Sequence, residues 1–100
     1  MYKVEYLPEA IDEMLRIEEY LYEHSPAAAN RFAEAIENRT ESLREYPLMC
    51  QVYDKDPFFR RMVLDDYLLF YSVDEKRELV IIHHIFHHSQ DTFRLMPARV

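Results

Sequence analysis

The sequence predicts an α+β domain in which a pair of helices covers one face of a mainly antiparallel β-sheet. Two observations lead to this prediction. Apolar residues recur at helical spacing in the first half of the chain, and the spacing becomes extended and alternating after Pro47. The 100 residues suffice for one two-layer core. We therefore expect a single domain over residues 1–100, built as an N-terminal strand, a helical hairpin and an antiparallel three-strand meander.

The first half of the chain is predicted to form one strand and two helices. Residues 2–7 alternate as a strand does, and Pro8 then opens a helix, because proline suits the first helical position. Ser25-Pro26 starts a second helix with a hydroxyl cap followed by proline, and this helix is expected to stop near Tyr46-Pro47. The predicted apolar stripes are Ala10, Ile11, Met14, Leu15, Ile17 and Leu21 on the first helix, and Ala29, Phe32, Ala33, Ile36 and Leu43 on the second.

The second half contains three segments rich in aromatic and branched residues, as strands are. They are Phe58 to Leu64, Tyr67 to Val73 and Leu79 to Phe86. Asp65-Asp66 is predicted to be a two-residue turn, and residues 74–78 a longer one. Because the sequence has no glycine, Asp or Asn must provide any positive φ that a turn requires.

The predicted hairpin is apolar on both faces, although only one helix pair is available to cover them. The turn places Leu64 opposite Tyr67. One face then carries Phe58, Arg60, Met62, Leu64, Tyr67, Leu69, Tyr71 and Val73, and the other, called here the second face, carries Phe59, Arg61, Val63, Leu68, Phe70 and Ser72. An uncovered apolar face usually binds a protein, so we expect a partner there. The alternative is that loop 47–57 and the C-terminal tail fold over it.

The charge of the chain is uneven. The net charge is −7, and residues 8–46 hold ten acidic side chains against four basic ones. The helical hairpin is therefore acidic, and direct binding of nucleic acid is disfavoured because phosphates are repelled. No apolar run reaches the roughly 20 residues of a membrane helix, the N-terminus lacks a secretion signal, and Cys50 is the single cysteine. These features indicate a cytoplasmic protein that binds no membrane.

Four histidines, at positions 83, 84, 87 and 88, lie within six residues. On a regular strand, His83 and His87 would share one face and His84 and His88 the other, so at most two would converge. A structural zinc site needs four ligands, and we expect neither a metal nor a cofactor. A second interpretation uses His87 or His88 as an acid–base group beside Arg61, acting on a substrate hydroxyl.

Three blocks of sequence follow one another in a characteristic order. They are an extended segment running into a helix (4–10), a Ser-Pro helix start with its helix end (25–32 and 42–47), and an Arg–Tyr–Tyr hairpin with the segments after it (59–73, 80–82 and 87–91). Together they resemble the RelE/ParE toxin superfamily over nearly the whole chain. The resemblance implies the toxin of a bacterial type II toxin–antitoxin system, neutralised by a cognate antitoxin protein.

The same resemblance implies one of two activities: inhibition of DNA gyrase by contact, as in the ParE branch, or ribosome-dependent cleavage of messenger RNA, as in the RelE branch. RelE-like nucleases carry arginines where this chain has Leu68 and Ser89. The sequence is therefore closer to ParE, and we expect gyrase binding without a cofactor. The alternatives are a RelE-type endoribonuclease and an inactive member that retains only antitoxin binding.

The resemblance and the second face together indicate the site residues. The predicted partner-binding residues are Arg61, Leu68, Phe70, Asp91, Phe93 and Arg94. If the chain is a nuclease, the candidates for catalysis are Arg61, His87 and His88.

Overall fold

The computed structural model describes residues 1–90 and 92–96 and has the predicted α+β architecture. Two helices lie on one face of a five-stranded sheet whose order is β1-β5-β4-β3-β2. The elements are β1 (Lys3–Tyr6), α1 (Pro8–His24), α2 (Pro26–Ser42), β2 (Gln51–Val52), β3 (Arg60–Leu64), β4 (Tyr67–Asp74), β5 (Leu79–His87) and α3 (Thr92–Leu95). β1 runs parallel to β5, and the other neighbours are antiparallel.

The two long helices start where the sequence predicts. Pro8 stands at the beginning of α1, and the side-chain oxygen of Ser25 accepts the backbone N–H of Ala28 at 3.2 Å, which caps α2. α2 ends at Ser42, earlier than predicted, and residues 43–45 form a turn. No helix in the described part of the chain is both long and apolar enough to span a membrane.

The main core lies between the helices and the sheet. Its buried residues are Ala10, Phe32, Ile36, Leu43, Met62, Leu64, Leu69, Tyr71, Val80, Ile82 and Ile85. The predicted stripe of α1 is too wide, because Ile11 and Leu15 remain 41% and 55% exposed. These two residues lie on the flank of α1 that turns away from the core, so their apolar surface stays in contact with water.

The β3–β4 hairpin has the predicted register. Leu64 pairs with Tyr67, and Arg60 pairs with Tyr71. Asp65 adopts a φ of 53°, the left-handed conformation that the glycine-free turn requires. Glu78 also has a positive φ, of 49°, so the expectation that only Asp or Asn takes this conformation is wrong. The strand β2 was not predicted, since two residues are too few to show a period.

β4 is the central strand of the five-stranded sheet and is buried on both sides. Its residues Leu69, Phe70, Tyr71 and Ser72 are all buried. Leu69 and Tyr71 belong to the main core, whereas Phe70 belongs to a separate cluster on the second face. The fold must therefore cover both faces of this strand.

Hydrogen bonds from β3 and β4 hold the segment after α2 against the sheet edge. The guanidinium of Arg60 donates to the carbonyl oxygen of Cys50 at 2.7 Å and to that of Leu48 at 3.3 Å. The hydroxyl of Tyr71 donates to the carbonyl oxygen of Pro47 at 2.9 Å. Arg60 thus has a structural role, which is to hold residues 48 and 50 by their carbonyl oxygens. Burial raises the pKa of Tyr71 well above its ordinary value, and the electrostatic interaction with Cys50 raises it further.

Replacing Asp65 by valine should destabilise the fold by about 1–2 kcal/mol, because a β-branched residue is strained at positive φ. Asp65→Gly should change the free energy of unfolding by less than about 0.5 kcal/mol, since glycine adopts this conformation freely. Urea unfolding measures both. Asp66→Val, in the same turn but without a positive φ, is the matched control. An equal loss of stability in Asp65→Val and Asp66→Val would contradict the explanation by backbone strain at positive φ.

Tyr71→Phe should lower stability by about 1 kcal/mol at pH 7, because it removes the hydrogen bond to Pro47. The folded-state pKa of Tyr71 is raised, so the protonated phenol contributes stability that is complete below pH 10 and is lost as the pH rises. The difference in the free energy of unfolding between wild type and Tyr71→Phe should therefore become smaller above pH 10. Urea unfolding between pH 7 and pH 11 tests this, with Tyr46→Phe as an exposed control. A difference that stays constant with pH would count against it.

Candidate partner-binding site

The centre of the second face is an aromatic cluster. Tyr53, Phe59, Phe70 and Phe86 form it, and Leu68 and Met96 pack against it. The ring centroids of Tyr53 and Phe70 lie 5.0 Å apart in an edge-to-face arrangement, a favourable geometry for aromatic rings. Tyr53 comes from the 47–57 loop and Met96 from the segment that follows α3. Loop and tail therefore cover the middle of the second face, as the alternative prediction holds.

This cover corrects the role expected of Phe70. Its side chain is 0% exposed beneath Tyr53, so it cannot contact a partner in this conformation. Leu68, also predicted to bind a partner, is half-buried against the cluster. Val63, its neighbour across the hairpin, is 54% exposed. The accessible part of the second face is thus its rim beside β3.

Arg61 lies on this rim. Its guanidinium carbon is 6.0 Å from the centroid of the Tyr53 ring, within the range of a cation–π contact. Within residues 1–90 and 92–96, the guanidinium makes no hydrogen bond and no ion pair. It lines an open cavity of about 460 Å³ together with Gln51, Val52, Tyr53 and Asp54. Arg61 therefore presents a positioned charge that a partner can reach.

A β-bulge places His83 and His84 differently from the prediction. The register of β5 against β4 shifts between Phe70 and Tyr71, which inserts one extra residue in β5. His83 Nε2 lies 2.8 Å from Ser72 Oγ, and the His84 ring stacks on Phe86. Both histidines therefore lie on the second face instead of on opposite faces.

His84 also connects the sheet to α1. Its Nδ1 lies 3.2 Å from a carboxylate oxygen of Glu13, and the same carboxylate accepts the backbone N–H of Ile85 at 3.0 Å. Glu13 thereby provides a hydrogen-bond acceptor for a backbone N–H at the edge of β5, beyond the end of β1. Among the described residues, no three His, Cys, Asp or Glu side chains form a group that could hold a metal ion.

His87 and His88 lie at the end of β5, away from Arg61. His87 pairs with Tyr67 on the helix side of the sheet, and the two rings are 5.4 Å apart. His88 stacks on His87, and its backbone N–H donates to the carbonyl oxygen of Asp66 at 2.8 Å. Arg61 and His87 thus occupy opposite faces, which argues against the acid–base pairing considered for a nuclease.

The C-terminal candidates are partly outside the described structure. Asp91 and the side chain of Phe93 lie outside the described residues. Arg94 lies on α3 and is exposed, and Leu95 beside it is 48% exposed. Because Met96 packs on the aromatic cluster, α3 lies next to the second face. The exposed side of α3 therefore extends the rim.

A second accessible surface lies along the outside of the helical hairpin. A groove of about 370 Å³ runs between α1, α2 and β1, with a mainly apolar floor. The residues that line it are Val4, Tyr6, Met14, Glu18, Ala33, Ile36, Glu37, Thr40, Glu41 and Arg44. Three of them are glutamates, so the rim of the groove is acidic. Ile11 and Leu15 lie exposed on α1.

The sequence predicts the acidity of this hairpin but not the groove. One sequence feature indicates such a surface: the apolar stripe of α1 is wider than the side of a helix that faces a core. Ile11 and Leu15 were assigned to the core, whereas their exposure extends the apolar part of this outer surface. We call this set, the groove with Ile11 and Leu15, the hairpin groove.

Comparisons with solved structures agree with this architecture. The chain is 15% identical to a chain of the chromosomal ParDE toxin–antitoxin system from P. aeruginosa, with a TM-score of 0.71 over 87% of this chain and 96% of that one. It is 13% identical to the isolated E. coli RelE toxin, with a TM-score of 0.67 and coverages of 95% and 94%. It is 18% identical to a chain of the RelBE2 toxin–antitoxin complex from Mycobacterium tuberculosis, with a TM-score of 0.65 and coverages of 86% and 96%. These similarities show the fold.

Comparison with sequence families is more specific. No curated protein matches the chain. The model of the ParE toxin of the type II toxin–antitoxin system parDE matches residues 4–92, which include α1, α2, β2 to β5 and all of β1 except Lys3. This chain is accordingly a member of the ParE toxin family of type II toxin–antitoxin systems.

Proposed function

We propose that the chain arrests growth by binding DNA gyrase through the rim of the second face, and that a cognate antitoxin neutralises it. A toxin of this kind acts as a binding surface and requires neither a cofactor nor a catalytic group. The membership in the ParE family supports a toxin–antitoxin function directly. The choice of gyrase over messenger RNA depends on particular side chains.

The observation that carries this choice is the environment of Leu68. RelE-like nucleases resemble this chain but hold an arginine at that position, where it stabilises charge at the scissile phosphate. Here the leucine packs against the aromatic cluster of the second face. This apolar environment lacks the central cation that RNA cleavage needs, which favours action by contact with a protein over cleavage of RNA.

Arg61 is the side chain best placed for such a contact. Arginine and large aromatic residues contribute most of the binding energy at protein interfaces. The Tyr53 ring holds the guanidinium in position, so little conformational entropy is lost when a partner binds. Val63 and Arg94 extend the same rim, with Asp91 and Phe93 as further sequence-based candidates. Phe70 supports the surface from beneath.

The antitoxin is expected to be a small, partly disordered protein that folds on this chain. The chemistry of the hairpin groove suits a partner helix that has an apolar face flanked by lysine or arginine. Its floor is mainly apolar, and its rim carries Glu18, Glu37 and Glu41. Charge complementarity of this kind accelerates association and selects the partner.

The gyrase proposal predicts that the purified chain inhibits supercoiling by purified gyrase. Arg61→Ala should raise the half-inhibitory concentration about 30-fold, which corresponds to a hot-spot loss of about 2 kcal/mol. Arg77→Ala, in the exposed turn between β4 and β5, removes the same charge far from the rim and should have no effect.

Normal supercoiling at concentrations of the chain that arrest growth would contradict gyrase inhibition. Codon-specific cuts in messenger RNA, found by primer extension after in-vitro translation and lost in Arg61→Ala, would instead establish the RelE-type activity.

The antitoxin proposal predicts that Leu15→Lys weakens binding of the small protein encoded beside this chain by about tenfold or more. The lysine places a cation against a basic partner and removes apolar contact area. Leu48→Lys is the matched control, since Leu48 is about as exposed as Leu15 but lies in the loop after α2. Calorimetric titration measures both affinities. Equal loss in the two variants, or none, would exclude the hairpin groove as the binding surface.

A further inference from the structure

A cleft lies between the C-terminal half of α1 and the end of the sheet, on the helix side and away from the rim that carries Arg61. Its volume is about 540 Å³, which is within the range of small-molecule sites. The residues that line it are Arg16, Ile17, Tyr20, Leu21, Asp66, Tyr67 and His87. Neither the proposed gyrase contact nor the hairpin groove uses these residues.

The floor of the cleft is apolar and fixed in place. Ile17, Leu21 and Tyr67 pack against the main core. The ring of Tyr67 contacts Phe32 at 5.0 Å and His87 at 5.4 Å, both edge to face. A ring held from two sides forms a preformed wall, so an apolar ligand would lose little free energy in ordering the site.

Two hydrogen-bond donors at the wall of the cleft have no partner among the residues that the structure describes. Arg16 makes no ion pair or hydrogen bond with any residue in 1–90 or 92–96. The backbone N–H of Ser89 donates to Nδ1 of His87 at 3.2 Å, so Nδ1 is an acceptor and the ring N–H lies on Nε2. Within the same residues, Nε2 of His87 has no hydrogen-bond partner. A guanidinium and an imidazole N–H therefore remain available beside an apolar floor.

The carboxylates around the cleft favour a ligand with one negative charge over a ligand with two. Asp66 lines the cleft with the two donors, and Glu19 and Glu23 lie exposed on α1 within two turns of Arg16. A dianion such as a phosphate ester would be repelled about twice as strongly as a monoanion. A carboxylate also matches the planar fork of arginine, which can bind both of its oxygens.

We propose that this cleft binds a monocarboxylate with an aromatic or other apolar ring, whose carboxylate contacts Arg16 and His87 and whose ring lies on Ile17, Leu21 and Tyr67. The same chemistry occurs in a free aromatic acid and at the C-terminus of a polypeptide that ends in an aromatic residue.

Titration of the ¹⁵N-labelled chain, followed by NMR, tests this with four probes. Phenylacetate represents the free acid, and acetyl-Gly-Gly-Phe with a free carboxyl terminus represents the chain end. Both should shift the amides of residues 16–21, 66–67 and 87, with dissociation constants on the order of 1 mM. Whichever binds more tightly identifies the source. Phenylacetamide and phenyl phosphate should bind about tenfold more weakly or not at all.

Variants assign the contacts. Arg16→Gln and His87→Gln should each weaken binding of the tighter acid by about tenfold, since hydrogen bonds to a charged group are lost. Arg77→Gln removes one positive charge elsewhere and should leave the affinity unchanged. Retained dispersion of the NMR spectrum shows that each variant is folded. Absence of shifts with both acids, shifts outside the cleft, or equal binding of phenylacetamide or phenyl phosphate would overturn the proposal.

Discussion

The burial of β4 on both faces is the constraint on which the rest of the structure depends. Leu69 and Tyr71 lie under the helices, and Phe70 lies on the opposite face. Burying a large apolar side chain stabilises a fold by about 1.5–3 kcal/mol, so neither face can be left in water without a considerable loss. The helical hairpin covers one face. Tyr53 and Met96 cover the other, and they bring the 47–57 loop and the C-terminal segment against the sheet.

This second cover decides where partners can bind. Because the centre of the second face is closed, its accessible part is the rim, where Arg61 lies over Tyr53 and Val63 is exposed. The opposite side of the molecule offers the hairpin groove, which is apolar along its floor and acidic at its rim. One small domain thus has two separate surfaces of different chemistry. That arrangement is compatible with a toxin that must bind a cellular target and be neutralised by a second protein.

Local features of the fold were predictable, and long-range ones were not. The cap at Ser25 and the hairpin register around Asp65 follow from short sequence signals with a direct physical cause. The bulge in β5 adds a single residue and cannot be recognised from the sequence pattern of the strand. The alternation of a regular strand therefore predicts the wrong faces for His83 and His84. The burial of Phe70 depends on Tyr53, seventeen residues earlier in the chain, and no periodicity reports such a contact. Arg61 was identified as a site residue from family resemblance, whereas its support by Tyr53 required the structure.

Growth of a bacterial culture after induced expression tests the central claim, that this member of the ParE family is a toxin with a cognate antitoxin, most directly. Two cultures are compared at equal, immunoblot-verified levels of the chain, with and without the small protein encoded beside it. The account predicts arrest of growth by the chain alone and normal growth when both proteins are present. Normal growth with the chain alone, or arrest that the neighbouring protein does not relieve, would contradict it.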